Sequence, residues 1–392
     1  MSPSDIDDAY LQQTLLRLLG IHSPTGYTDS IVREVGRELD NLGVPYELTR
    51  RGAIRATLRG RAYSPDRAIV THVDTLGAMV KALKPNGRLS VVAVGTWSSR
   101  FAEGARVSLY TDETVYRGTL LPIKASGHTF DEEIDTQPNT WSNLELRLDE
   151  DSETRDDLEQ LGVQIGDFIG IDSRAEFLTN GYLNARHLDN KAGVATALAM
   201  AKYIRDHEVE LPVECHLIFT ISEEVGSGAS AILHGDVAEM VSVDNGTVAP
   251  GQNSREHGVT VAMADSSGPF DFHLTRHLLN LCYVNDIPHQ RDIFKYYRCD
   301  SASALEAGND IRTALLSFGV DASHGYERTH LNSLLAIAHL LVLYANSDLI
   351  YKRQKSALGS LKTFPKTRKT DVPLTQLEQT ESLAQIPPAD NT

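Results

Sequence analysis

Apolar residues recur at Leu11, Leu15, Leu18 and Leu19, and again at Ile31, Val32, Val35 and Leu39, the spacing of one face of a helix. The first set predicts a helix over residues 4–20, capped by Ser4 and stopped by Gly20. The second predicts one over residues 28–42, and Ser23-Pro24-Thr25-Gly26 between them reads as a turn. Apolar runs with β-branched residues at 67–73, 213–222 and 239–244 predict short buried strands, while helical stretches return over 193–206, 270–285 and 329–346. Strands alternating with helices of this length predict an α/β sandwich built on a largely parallel sheet.

The rhythm breaks between residues 80 and 180. Short β-like pieces at 89–94, 105–110 and 168–171 are separated there by glycines and acidic turns. This is the pattern of a small β domain inserted into the α/β one. The expected organisation is a discontinuous α/β domain of residues 1–79 and 181–351, an insert of residues 80–180, and a tail of residues 352–392 too polar to pack.

Composition narrows the function classes. With 392 residues, 41% of them apolar and 23% charged, the chain is long enough for two packed domains, and no apolar run reaches the roughly 18–20 residues of a membrane-spanning helix. A formal net charge of −16 argues against a nucleic-acid partner, whose phosphates would be repelled. Only the tail is basic, with seven bases and four acids over residues 352–392. Three widely spaced cysteines, Cys215, Cys282 and Cys299, suit a reducing compartment, and the segment after Met1 has neither the basic nor the apolar region of a signal peptide, so the expected location is the cytoplasm.

Candidate chemistry sits where the predicted strands end. Thr71-His72-Val73-Asp74 leaves one of them, and residues two apart on a strand point the same way, so His72 and Asp74 share a side at the end where α/β folds bind ligands. A surface hydrogen-bonded pair is the plain alternative. Asp189, in Arg186-His187-Leu188-Asp189-Asn190-Lys191 ahead of a small-residue helix, is either an N-cap or a carboxylate able to bridge two cations. Glu223 and Glu224 leave the strand that ends Leu217-Ile218-Phe219-Thr220. Two adjacent acids in a dry crevice repel unless a cation or a shared proton compensates, so one ligand and one general base would resolve them; a solvated loop is the alternative. Asp244 ends a further strand, and His324 precedes the last helix. As a set, two histidines and three carboxylates are the donor types that hold a pair of zinc-like ions about 3.5–4 Å apart.

The order and spelling of these pieces resemble the co-catalytic dinuclear metallo-aminopeptidases of the glutamyl and deblocking type, including those that form tetrahedral particles. The resemblance runs from residue 10 to residue 346. It implies a three-layer α/β/α zinc-peptidase-like domain with a mixed, largely parallel sheet, and a small β-barrel-like insert whose closing strand matches residues 162–167. It also implies His72, Asp189, Glu224, Asp244 and His324 as metal ligands, Asp189 bridging, with Glu223 as the general base and Asp74 as the acid beside the first histidine. Asp189 lies 115 residues after Asp74, whereas the related zinc carboxypeptidases and deacylases place the bridging acid soon after the His-x-Asp. Asn190, Lys191 and Cys299 depart from the usual family spelling; the five ligands do not. With its basic tail, the chain is also similar to a branch of this family encoded beside synthesis of the osmoprotectant N-acetylglutaminylglutamine amide.

The function this resemblance implies is release of N-terminal residues from short peptides or dipeptide-like substrates. It would use two divalent ions per subunit, zinc first and cobalt or manganese as substitutes, in a dimer-based homo-oligomer that could reach a dodecamer, with no nucleic-acid or membrane partner. A dinuclear amidohydrolase or deacylase acting on small acylated amino acids would differ in not requiring a free α-amine. A metal-dependent scaffold would have no use for Glu223 beside a complete ligand set.

Overall fold

The computed structural model of the chain describes residues 5–355, 359–361 and 364–366. Ser4 and most of the tail expected to be unpacked lie outside the described residues. The first helix is Asp8–Leu19, capped by Asp7, whose side chain accepts from the Tyr10 N–H; the second is Asp29–Asn41. Both bury the stripes read from the sequence, Leu11, Leu15, Leu18 and Leu19 on one and Ile31, Val32, Val35 and Leu39 on the other.

A twelve-stranded mixed sheet forms the core. Its centre is four parallel strands in the order Leu211–Thr220, Gly60–His72, Val237–Val248 and Arg312–Asp321. Antiparallel strands flank them, among them Ile54–Leu58 on one side and Glu327–His330 on the other. Thr220 stands opposite His72, Ser242 opposite Val70 and Asp244 opposite Ser317, so the C-terminal ends of the parallel strands fall along one edge.

Helices cover both faces of the sheet. The Ser242 hydroxyl meets that of Ser301, on the helix Asp300–Glu306, at 2.9 Å. Glu239 is three residues earlier on the same strand and therefore on the other face, where the Tyr344 hydroxyl of Leu331–Ala345 donates to it at 3.2 Å. The long helix Leu188–Asp206 packs beside Leu331–Ala345 on that second face. Among the described residues no helix is long and apolar enough to cross a membrane, and the three cysteines are free and buried.

Six antiparallel strands close into a barrel in the order Gly77–Leu83, Leu89–Val94, Leu144–Leu148, Val115–Pro122, Arg106–Tyr110 and Phe168–Ile171. Alternate residues such as Val107 and Leu109, or Ile169 and Ile171, fill a core of its own. Residues 162–167 are not the closing strand. They form the turn ahead of it, because Gly162 and Gly166 adopt φ of 75° and 100°, a conformation that extended strands exclude.

The predicted Ser23-Pro24-Thr25-Gly26 turn joins barrel to sheet. The Thr25 N–H donates to the Thr75 carbonyl at 3.1 Å and the Thr75 N–H to the Ser23 carbonyl at 2.9 Å. The Tyr27 ring lies 4.6 Å from that of Tyr110 on the barrel. His22 sits 3.3 Å from Asp172, which also accepts from Arg117 at 2.9 Å. Burial alone would raise the Asp172 carboxyl, but His22 and Arg117 hold it well below the usual carboxylate range.

The strand that leads towards His324 has a tight neighbour. A Cβ on Gly319 would stand 2.0 Å from the Arg255 carbonyl oxygen. Gly319→Ala is therefore expected to cost about 1–3 kcal/mol, the usual range for overpacking. The check is a lower urea midpoint at an unchanged m-value.

Candidate metal centre

The common edge of the parallel strands collects the pieces. His72 is the last residue of Gly60–His72, Glu223 and Glu224 follow Leu211–Thr220, Asp244 lies near the end of Val237–Val248, and His324 follows Arg312–Asp321. Asp189 enters at the head of Leu188–Asp206, where non-helical backbone at Asp189 (φ −73°, ψ 106°) and Asn190 (φ −120°, ψ 28°) interrupts the helix. Asp189 is therefore not a simple N-cap, and the regular helix begins after it.

Asp189 stands between the two histidines. Its Oδ1 is 3.1 Å from His72 Nε2, and its Oδ2 is 3.4 Å from His324 Nε2. A second carboxylate lies 3.9 Å from each imidazole nitrogen, Asp244 Oδ1 at His72 and Glu224 Oε2 at His324. Glu223 Oε2 is 3.8 Å from His72 Nε2. The Nδ1 atoms decide how the rings serve. His72 Nδ1 faces the Asp74 carbonyl oxygen at 3.0 Å and His324 Nδ1 the Thr96 carbonyl oxygen at 2.9 Å. A carbonyl only accepts, so in the neutral ring each Nδ1 carries the proton and Nε2 is left as the ligand atom.

Asp74 stands outside this donor cluster and supports it. Its Oδ1 accepts from the Glu223 N–H at 3.1 Å, and its Oδ2 from the Glu224 N–H at 3.3 Å and from the Thr25 hydroxyl at 2.6 Å. The adjacent acids are thus held by their backbone, and through Thr25 they are tied to the turn that joins the barrel.

So many buried acids repel one another. Burial, opposed by His72 and reinforced by Asp244, pushes Glu223 well above the usual range; burial and Asp189 do the same to Glu224 and Asp244. Burial works against charged imidazoles, yet Asp189 and its neighbours carry His72 well above its usual value and His324 to about 10. Glu224 Oε1 is buried without a hydrogen-bond partner among the described residues. Crowded carboxylates, an orphaned carboxylate oxygen and two Nε2 atoms that can exchange a proton for a cation together fit cations.

Three buried groups at the centre escape the sequence reading. Glu327 accepts from the Asp189 N–H at 3.1 Å and from the His324 N–H at 2.9 Å, and burial with Asp189 beside it pushes its carboxyl up to about 8. Its place three residues after His324 was the available signal. Asp300 accepts from the Thr220 hydroxyl and the Ala229 N–H, both at 2.7 Å, and so pins the two ends of the Glu223-Glu224 loop. Asn245, next to Asp244, donates to Asp189. A cavity of about 660 Å³ opens over the cluster, lined by its acids and His324 and by Phe294, Lys295, Tyr297 and Arg298.

Over residues 52–340 the chain matches the M42 glutamyl aminopeptidase family, and it belongs to that family. It is a peptidase, and M42 peptidases are metallopeptidases. A relative in Bacillus subtilis (strain 168), named "Putative aminopeptidase YhfE", is 36% identical over 339 residues, which span 86% of this chain and 98% of the relative. The glutamyl aminopeptidase of Lactococcus lactis subsp. cremoris (strain MG1363) is 25% identical over 217 residues, 53% of this chain and 58% of the relative. Among solved structures, the Pyrococcus horikoshii TET1 peptidase, which can assemble into a tetrahedron or a large octahedral shell, superposes with a TM-score of 0.76 at 22% identity, covering 86% of this chain and 99% of the other. At that identity the likeness shows the fold, and it agrees with the α/β sheet and barrel described above.

Proposed function

We propose that the chain is an aminopeptidase that holds two divalent cations per subunit and releases N-terminal residues from short peptides. In this reading Asp189 is shared by both ions, His72 and Asp244 complete one site, and Glu224 and His324 complete the other. The observation that carries it is the placement of Asp189, with one oxygen turned to each imidazole and a further carboxylate at the same 3.9 Å from each ring nitrogen. Zinc suits imidazole and carboxylate donors, and cobalt or manganese are substitutes. When bound, such cations polarise the scissile carbonyl and make water more acidic.

Glu223, 3.8 Å from His72 Nε2, is the general base in this reading, as the resemblance to the family implies. Its N–H is held by Asp74 and its carboxylate borders the cavity, where it takes a proton from the attacking water and delivers it to the leaving amine. The segment 80–180 acts as a separate domain that bounds the cavity and through which subunits associate in the cytoplasm. Two observations support that role: its Thr96 carbonyl orients His324, and the TET1 relative is an assembly.

A panel of aminoacyl substrates and their N-acylated counterparts, assayed with zinc, cobalt or manganese, tests the reading. Hydrolysis confined to substrates with a free α-amine is expected. Preference for the blocked compounds would make the chain an amidohydrolase instead.

A further inference from the structure

We propose that Asn245 is a positioning residue of this centre, orienting the shared carboxylate from outside the donor set. The residue is 4% exposed and follows Asp244 on Val237–Val248. Its Nδ2 lies 3.4 Å from Asp244 Oδ1, so the two neighbouring side chains meet beside Asp189. Asn245 Nδ2 donates to Asp189 Oδ2, the oxygen turned to His324, at 2.6 Å. Asn245 Oδ1 accepts at 3.2 Å from the hydroxyl of Ser323, the residue before His324. The Asn245 N–H donates to Asp244 Oδ1 at 2.7 Å, and its carbonyl accepts from the Tyr297 hydroxyl at the cavity wall, also at 2.7 Å. One residue thus links the three segments that carry Asp189, Asp244 and His324.

A carboxamide fits this place for a chemical reason. It donates to a carboxylate with one end and accepts from a hydroxyl with the other, and it adds no charge to a cluster that already holds Asp189, Glu223, Glu224 and Asp244. Aspartate would lose the donor and add a fifth acid. Serine is too short to reach both partners. A ligand carboxylate held this way does not have to find its orientation each time a cation binds, and loss of such outer partners typically costs about 10–100-fold in metal affinity or activity.

The proposal rests on Asp189 being a metal ligand, so its test carries a separate arm for that reading. Zinc dissociation constants are measured by competition with a chromophoric chelator on the wild type, Asn245→Ala and Asp189→Asn, with the thermal midpoint of each metal-free protein. Asn245→Ala is expected to bind zinc about 10–100-fold more weakly, at a metal-free midpoint close to wild type, and at saturating zinc to lose kcat more than it changes KM. Zinc affinity within about threefold of wild type would overturn the proposal. If Asp189→Asn also keeps wild-type affinity, the ligand reading has failed; if Asp189→Asn alone loses zinc, only the role of Asn245 is wrong. Should Asn245→Ala not fold, Asn245→Ser keeps a polar group in the same space without spanning Asp189 and Ser323, and the same expectation and threshold apply to it.

Discussion

Glu223→Gln is expected to lower kcat by about 100- to 10,000-fold, the usual contribution of general acid–base catalysis, while zinc content stays as in the wild type. The amide keeps the size of the side chain, and its oxygen still accepts a hydrogen bond from water, but it cannot take up a proton. Nothing else at the centre should move, because Asp74 holds this residue through its backbone N–H, which the substitution leaves in place. Glu224→Gln should behave differently. Its Oε2 lies 3.9 Å from His324 Nε2, so a neutral oxygen there removes charge from the His324 side and weakens one ion. Metal content and turnover are read on the same preparations. Loss of zinc from Glu223→Gln with full zinc in Glu224→Gln would mean that the two roles are exchanged.

Asp189→Asn is expected to remove more than any other single substitution in the ligand set. Each of its oxygens faces a different imidazole, so both proposed sites lose a negative donor at once, whereas any other ligand serves one. The amide NH₂ that replaces one oxygen would also point a donor at Asn245 Nδ2 or at a cation, and neither accepts it. Zinc affinity should therefore fall by more than the roughly 10–100-fold that losing an outer partner costs, and turnover should fall with it. Isothermal titration with zinc separates the cases, since a substitution that spares one site would leave one tight binding event.

Particular residues show what was legible from sequence. Leu11 to Leu19 and Ile31 to Leu39 announce their helices because a single buried face repeats every three to four residues. The barrel was visible as short pieces with their own turns, but closure was not, since it depends on pairings such as Ala78 with Ile169, ninety-one residues apart. The strand Ile54–Leu58 was hidden by Arg55, a buried arginine whose guanidinium donates to the His234 carbonyl. The last helix starts at Leu331 rather than residue 329, because Glu327–His330 first pairs as a strand with Tyr182–Ala185 and the His330 ring then caps the helix. At the centre, residues placed directly after apolar strands stood out. Asn245, Asp300 and Glu327 did not, because each acts through backbone groups or other side chains that only the fold brings near.

The claim that Asp189 is shared by two cations is tested most directly by diffraction from zinc-loaded crystals at wavelengths on either side of the zinc absorption edge. Two anomalous peaks per subunit are predicted, about 3.5–4 Å apart, one against His72 and Asp244 and the other against Glu224 and His324, with Asp189 between them. A single peak, or a pair that leaves Asp189 uncoordinated, would contradict it.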